Sequence, residues 1–351
     1  MTTTAGPVRH EPAPQSVASR RLVDKVFKAR ELAVVLVLVL MLGATQLSNP
    51  AFLSEQGIKD LMLNATILVL VAVGQATVVI TRNVDLSVGS VLGISAFAAG
   101  LYLQDGGNPL VAVLLAVALG ALFGGLNGAL VSLGKVPALV VTLGTLYIVR
   151  GIDSIWVGSR QITADALPKS FVDLGHDGIL AVPYLALLAV AVLVVVAYYL
   201  RSYRGGRDMY ALGSSPEAAR LAGVPVRARI MTAYVLCGAL AGLAGALYLA
   251  RFGNVDSATG NGFELTVVSA VVVGGVAFTG GSGTVYGAAL GALLLTSINS
   301  VLPAIGVSSV WVTAINGFLL LLAIAVDRIL ALRVAAGLRK KAAQMRSARH
   351  A

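Results

Sequence analysis

The residues of this chain that can do chemistry are few, and most are uncharged. Cys237 is the sole cysteine and falls in an apolar run, while His10, His176 and His350 are scattered through the 351 residues. No disulfide can form within the chain. A metal centre needs clustered ligands and a catalytic site needs a nucleophile beside its base, and this distribution supplies neither. What the sequence offers instead is hydrogen bonding. The stretch TRNVDLSVGS, residues 81–90, sets Arg82, Asn83, Asp85, Ser87 and Ser90 between two long apolar runs. With Gln75, Thr77 and Thr81 just upstream, these groups can exchange hydrogen bonds with the hydroxyls of a neutral solute. Asp85 precedes the next apolar run and suits a helix N-terminus, where the dipole stabilises a carboxylate. A hydrogen bond to Arg82 is an equal alternative.

The elements that must hold these residues are transmembrane helices. Hydrophobic residues make up 57% of the chain and charged residues only 12%, against about 25% charged in an ordinary soluble protein. A helix needs about 20 apolar residues to cross the hydrocarbon core. Ten runs qualify: 31–48, 58–80, 86–103, 110–133, 137–157, 179–200, 230–252, 264–279, 284–302 and 308–327. Arg150 and Asp153 near the end of the fifth leave that boundary open. The expected fold is therefore all-α and polytopic, with about ten spans over residues 31–327.

The net charge of +10 suggests nucleic acid until its placement is examined. Nineteen of the 26 basic residues fall in three segments, 1–30, 201–229 and 328–351. Short loops rich in Lys and Arg stay cytoplasmic, and an even number of spans puts all three on that side, both termini included. Basic tails beside anionic lipid account for the charge without nucleic acid. Residues 1–30, with Pro7, Pro12 and Pro14, read as a disordered basic tail and not a secretory signal, and 328–351 as a second basic tail. The loop 158–178 carries Asp165, Asp173 and Asp177 against Arg160 and Lys169, which suits the outer face.

Two readings of residues 81–90 stand side by side. One is a tight cytoplasmic turn, which wants Gly89, polar residues and an inner-face arginine. The other is a broken helix inside the protein, since non-helical backbone at membrane depth is tolerated where protein or a wet cavity encloses it. Asn64, Asn127, Thr142, Thr145, Asn299 and Asn316 also interrupt apolar spans. Singly they read as helix–helix hydrogen bonds, and together they are compatible with a path for a hydroxyl-rich solute. No file of Asp, Glu or Lys runs through the spans as an ion-driven carrier requires. Gly120, Gly124 and Gly128, and again Gly283, Gly287 and Gly291, recur every four residues and read as close-packing faces.

In the loop 201–229, GSSPEAARLAGVPVRARI (213–230) carries a short helix: Ser214 or Ser215 as cap, Pro216 in the first turn, Glu217 complementing the dipole, Gly223 and Pro225 ending it. Here the sequence resembles a family. EAARLAG is similar to the coupling loop of ATP-binding-cassette importer permeases. The stretches 74–100, 127–152 and 271–294 resemble, in the same order, the ribose-type sugar permeases of that class. The residues Thr81, Arg82 and Asn83 look like those of its rhamnose and autoinducer-2 branch, where ribose-type members more often carry Thr-Gly-Gly.

The resemblance implies a non-catalytic transport subunit of the bacterial cytoplasmic membrane. It would pair with a second permease chain, identical or related, and with an ATPase dimer that binds the ATP and Mg²⁺. An extracytoplasmic sugar-binding protein would deliver a monosaccharide: a deoxyhexose such as rhamnose, autoinducer-2 or a pentose. Glu217, Ala218, Ala219 and Gly223 would couple to the ATPase. Gln75, Asn83, Asp85, Ser87 and Asn127 would line the path. The chain itself lacks the G-x-x-x-x-G-K-[ST] phosphate loop, and GGSGTVYG (280–287) has no lysine, so it can hold no nucleotide in that way. A passive channel or an ion-coupled carrier is the rival reading.

Overall fold

The computed structural model describes residues 15–329 apart from 309, 313, 323, 326 and 327, with side chains from residue 31 onward. Almost all of it is helix: α1 (Gln15–Ser48), α2 (Glu55–Ile80), α3 (Val88–Gln104), α4 (Pro109–Ser132), α5 (Ala138–Val157), α6 (Lys169–Leu174), α7 (Tyr184–Ser202), α8 (Arg204–Ser214), α9 (Pro216–Leu221), α10 (Val226–Phe252), α11 (Phe263–Val273) and α12 (Val285–Ala304). A two-residue hairpin, Gly178–Ile179 with Val182–Pro183, interrupts the segment before α7. Seven helices are long and apolar enough to cross a membrane, and three shorter apolar ones, α3, α11 and Val310–Leu322, match three of the other expected runs.

The expectation of a disordered tail over 1–30 is corrected for its second half, because α1 begins at Gln15. Pro14 is the last proline before Pro50, and the intervening run is rich in good helix formers. Residues 1–14, and 330–351 of the expected C-terminal tail, lie outside the described residues.

Helix α2 is the axis of the bundle. Every residue from Ala65 to Ile80 is buried, enclosed by α7, α10, α11 and α12. A helix apolar on all sides belongs in such a position. Helix α4 shows the opposite pattern, divided lengthwise. Leu110, Leu114, Leu122, Leu126 and Leu130 point outward, exposed, while Ala112, Ala116, Gly120, Gly124 and Gly128 are buried on the other face. That small-residue face meets α10. A Cβ on Gly120 would overlap the Gly238 carbonyl, one on Gly124 the Tyr234 carbonyl, and one on Gly242 the Ala116 carbonyl. In lipid, where burying apolar surface gives no driving force, such backbone proximity supplies the packing. The second glycine stripe works likewise: Gly287 and Gly291 abut Gly274 and Ala270 of α11. Gly283 is not part of it. It precedes the Thr284 cap of α12 with φ of 111°, a turn glycine and not a helical one.

Helix α10 also serves as a ruler. The Thr77 hydroxyl lies 3.4 Å from the Ala233 carbonyl, and Gly245 abuts Leu92. These levels are twelve α10 residues apart, about 18 Å at 1.5 Å per residue. Since α3 begins at Val88, about 6 Å below Leu92, residues 81–87 climb from the end of α2 into the bundle interior. Helix α11, eleven residues long, covers only about 16 Å, half a hydrocarbon core. Its first turn meets that of α3, where Gly89 abuts Gly260 and the Glu264 carboxylate.

The α4–α10 seam is open to a direct check. Gly238→Ala forces a methyl into the Gly120 and Gly124 backbone, and overpacking of this kind costs about 1–3 kcal/mol. Gly144→Ala on α5, with nothing within 4 Å of the added carbon, should be neutral or slightly stabilising. Thermal unfolding in detergent should separate the two clearly, and equal midpoints would refute the seam.

Candidate functional site

Residues 83–87 belong to no helix, and Val84, Asp85 and Ser87 among them are buried. The protein therefore encloses most of this stretch. Only Arg82 is exposed, in a left-handed conformation with φ of 69°. Asp85, 1% exposed, is held by its neighbours and not by Arg82. The Ser87 backbone N–H and hydroxyl both donate to its Oδ1, at 2.9 and 2.6 Å. Asn127 from α4 donates to the Ser87 hydroxyl at 2.9 Å and reaches Asp85 at 3.4 Å. Thr145 from α5 donates to the Asn127 side-chain oxygen at 2.6 Å. The Val84 carbonyl accepts from the Tyr234 hydroxyl at 3.1 Å and lies 3.5 Å from that of Thr142. Asp85 thus meets the start of α3, as its position before an apolar run suggests, and accepts one amide of that end. Three helices and one break converge on a small polar group made of hydroxyls, amides and one carboxylate.

The structure gathers Asp85, Ser87 and Asn127 but not the other two path residues expected from sequence. Asn83 turns back to Thr81, donating to its carbonyl and hydroxyl at 3.0 and 3.2 Å. Gln75 is buried between α2 and α10. Its Oε1 lies 3.5 Å from Cys237 Sγ, and its Nε2 has no hydrogen-bond partner. Thr77, Thr81 and Ser90 spend their hydroxyls on local carbonyls. Thr145 joins Asn127, and Asn316 donates to Asn299 at 3.2 Å, the helix–helix bonds expected of such residues.

Sequence reasoning missed a second polar group. Arg150 of α5 donates to the Thr259 carbonyl at 2.8 Å. Asp153, one turn on, is fully buried. Asp256 accepts from the Ala258 N–H at 2.9 Å and the Thr259 hydroxyl at 3.2 Å. The signal was present: GNVDSATGNG (253–262) is as polar and glycine-rich as residues 81–90, and likewise sits between apolar runs.

At the other end lies the short helix of the basic loop. Ser215 caps α9, accepting from the Ala218 N–H at 3.4 Å with Pro216 behind it. At its end Gly223 takes φ of 76°, and Val224 and Gly223 donate to the Ala219 and Arg220 carbonyls, a Schellman closure that favours glycine. Glu217 and Ala218 face outward, and so does Leu221, 86% exposed, which the sequence reading passed over. Ala219 differs from them in being buried against the chain's own body.

Residues 57–324 match the family described as branched-chain amino acid transport system / permease component. The chain belongs to that permease family. It is 38% identical over 302 residues to the autoinducer 2 import system permease protein LsrC of Enterobacter sp. (strain 638), covering 86% of this chain and 88% of that one. The corresponding protein of Klebsiella pneumoniae is 38% identical over 86% of this chain and 87% of its own. That of Escherichia coli K12 is 36% identical over 85% and 86%. No solved structure matches. The resemblance read from residues 74–100, 127–152 and 271–294 therefore holds, and the chain is a permease component of a transport system.

The Asn127–Thr145 bond makes the site testable. A double-mutant cycle of Asn127→Ala and Thr145→Ala, read by unfolding in mixed micelles, should give a coupling of about 0.6 kcal/mol and no more than about 1.7, the mean and maximum found for hydrogen bonds between membrane helices. Strict additivity would mean the two side chains do not meet.

Proposed function

We propose that this chain forms the membrane path of an ATP-driven importer for autoinducer-2 or a closely similar small polyhydroxylated solute, in the bacterial cytoplasmic membrane. The observation that carries the reading is the 36–38% identity, over at least 85% of the chain, to permeases named for autoinducer-2 import. A neutral, hydroxyl-rich cargo also suits the Asp85 group, which offers hydrogen bonds and no row of charges. Rhamnose and ribose have no comparable support. In this reading a second permease chain completes the path, an extracytoplasmic binding protein delivers the solute, and two ATPase subunits bind ATP and Mg²⁺ beneath.

The mechanism runs through α9. Its exposed residues Glu217, Ala218 and Leu221 would dock on the ATPase, while Gly223 gives the sharp exit into α10. On its other side α9 follows directly from α8. The Tyr210 hydroxyl donates to the Gly283 carbonyl at 3.0 Å and the Ser214 hydroxyl lies 3.4 Å from that of Gly281, while the Gly281 N–H donates to the Ile80 carbonyl at 2.9 Å. A displacement of α9 would therefore reach the end of α2, and through it the break that carries Asp85. Burial pushes the Tyr210 hydroxyl up to about 12. It remains a donor at every physiological pH, so this contact should not make transport pH-dependent.

Reconstitution tests the reading. With its binding protein and ATPase in proteoliposomes, the chain should take up labelled autoinducer-2 only when ATP is present. Uptake without the ATPase, or driven by a pH or sodium gradient alone, would establish the channel or carrier instead. Gly223→Val places a β-branched residue at positive φ and should uncouple hydrolysis from uptake at normal abundance. Asp85→Asn should lower uptake at least tenfold with little change in abundance. Parallel losses of both would mark Asp85 as a folding residue.

A further inference from the structure

Asp153 has no exposed surface, and neither of its carboxylate oxygens has a hydrogen-bond partner. A carboxylate withdrawn from water in this way is destabilising unless something brings it donors. The charge of Arg150 acts on Asp153, but Arg150 makes no hydrogen bond to it: its Nη1 donates to the Thr259 carbonyl at 2.8 Å and lies 3.5 Å from that of Ser257. Asp153 Oδ2 points to the seam between Gly93 of α3 and the Thr259 backbone, 3.5 Å from where a Cβ on Gly93 would stand. Thr259 and Asp256 form one wall of a cavity of about 380 Å³ whose other walls include Leu92, Tyr248 and Phe263, within the usual range for small-molecule sites of about 300–1,000 Å³. Across the same seam Glu264 Oε2 is also buried without a partner.

Acceptors without donors, set beside a partly aromatic cavity, call for a ligand that donates hydrogen bonds and carries no negative charge. A metal ion is the weaker fit, because no group of acidic, histidine or cysteine side chains among the described residues could hold one. The position is also ordered along the path. Thr142, Thr145 and Asp153 lie on one side of α5: the threonines bond the Asp85 group, and Asp153 stands eight residues beyond Thr145, about 12 Å nearer the outer end.

We propose that Asp153, supported by Glu264, is a hydroxyl-binding station on the outward side of the Asp85 group, which a neutral polyhydroxylated solute occupies first. This rests on the importer reading above. The complete transporter, with binding protein and ATPase in proteoliposomes and labelled autoinducer-2 as probe, decides it. Asp153→Ala should lower the solute moved per ATP hydrolysed at least tenfold. Asp153→Asn, whose amide oxygen still accepts from a hydroxyl, should lose only about two- to threefold. Unchanged transport in Asp153→Ala overturns the proposal, and so does an equal loss in both variants, which is the signature of a structural role. If Asp153→Ala fails to accumulate, Asp153→Asn carries the test alone, with a two- to threefold loss supporting the station and an unchanged ratio overturning it. A wild-type complex inert toward the probe sinks the importer reading itself, and the station with it.

Discussion

Hydrocarbon offers no hydrogen bonds, so every stretch where this backbone leaves the helix must find partners within the protein. Three such stretches among the described residues, 81–87, 253–262 and 274–284, are partly buried against the helices. In the first break the Val84 carbonyl is met by Tyr234 and the Asn83 N–H by the Val78 carbonyl. In the second, Val255 and Ile162 exchange backbone bonds while Arg150 serves Thr259. In the third, Ala277 pairs with Ser282, Gly281 with Ile80, and Tyr210 with Gly283. Tyr234, Arg150 and Tyr210 are placed where this requirement falls.

Such satisfaction depends on proximity, and proximity depends on glycine. Asn127 reaches the break from α4 because Gly120, Gly124 and Gly128 let α4 lie backbone to backbone with α10, the helix that also carries Tyr234. Helices kept apart by leucines would leave these short side chains out of reach of one another. The same economy appears below, where Gly213 packs on the Ile80 carbonyl and Gly281. Packing and polar satisfaction are in this sense one constraint, and the glycine stripes are its mark in the sequence.

That explains what could be read from the residues alone. Apolar run length and the four-residue glycine period are local properties, so the spans and the α4 face were legible, as were the Ser215–Pro216 start and Gly223 end of α9. The direction of a side chain at a break is not local. Asn83 and Ser87 are four residues apart in one polar stretch, yet the first folds back on α2 and the second joins Asp85. Before both stands the left-handed turn at Arg82, which packs on Gly280 about two hundred residues away. Asp153 was missed for a related reason. A charge near the end of an apolar run reads as a boundary, and only the return of residues 253–262 into the bundle makes it an interior group.

The same geometry shows why α10 suits the part of connecting rod. It starts three residues after the αL turn of Gly223, continues for 27 residues without proline, and is about 40 Å long. Along that length it touches each component in turn: Tyr234 at the Val84 carbonyl, Gly238 and Gly242 at the α4 seam, Gly245 at α3, and Tyr248 at the outer cavity. An unbroken hydrogen-bonded helix transmits axial displacement, whereas the broken segments yield. Its glycine contacts with α4 are specific to one register, each set against a backbone carbonyl, so the seam holds the two helices together. In the proposed mechanism a push on α9 reaches the end of α2 through α8 and residues 281–283, and α10, which follows α9, stands against the same Asp85 break through Tyr234.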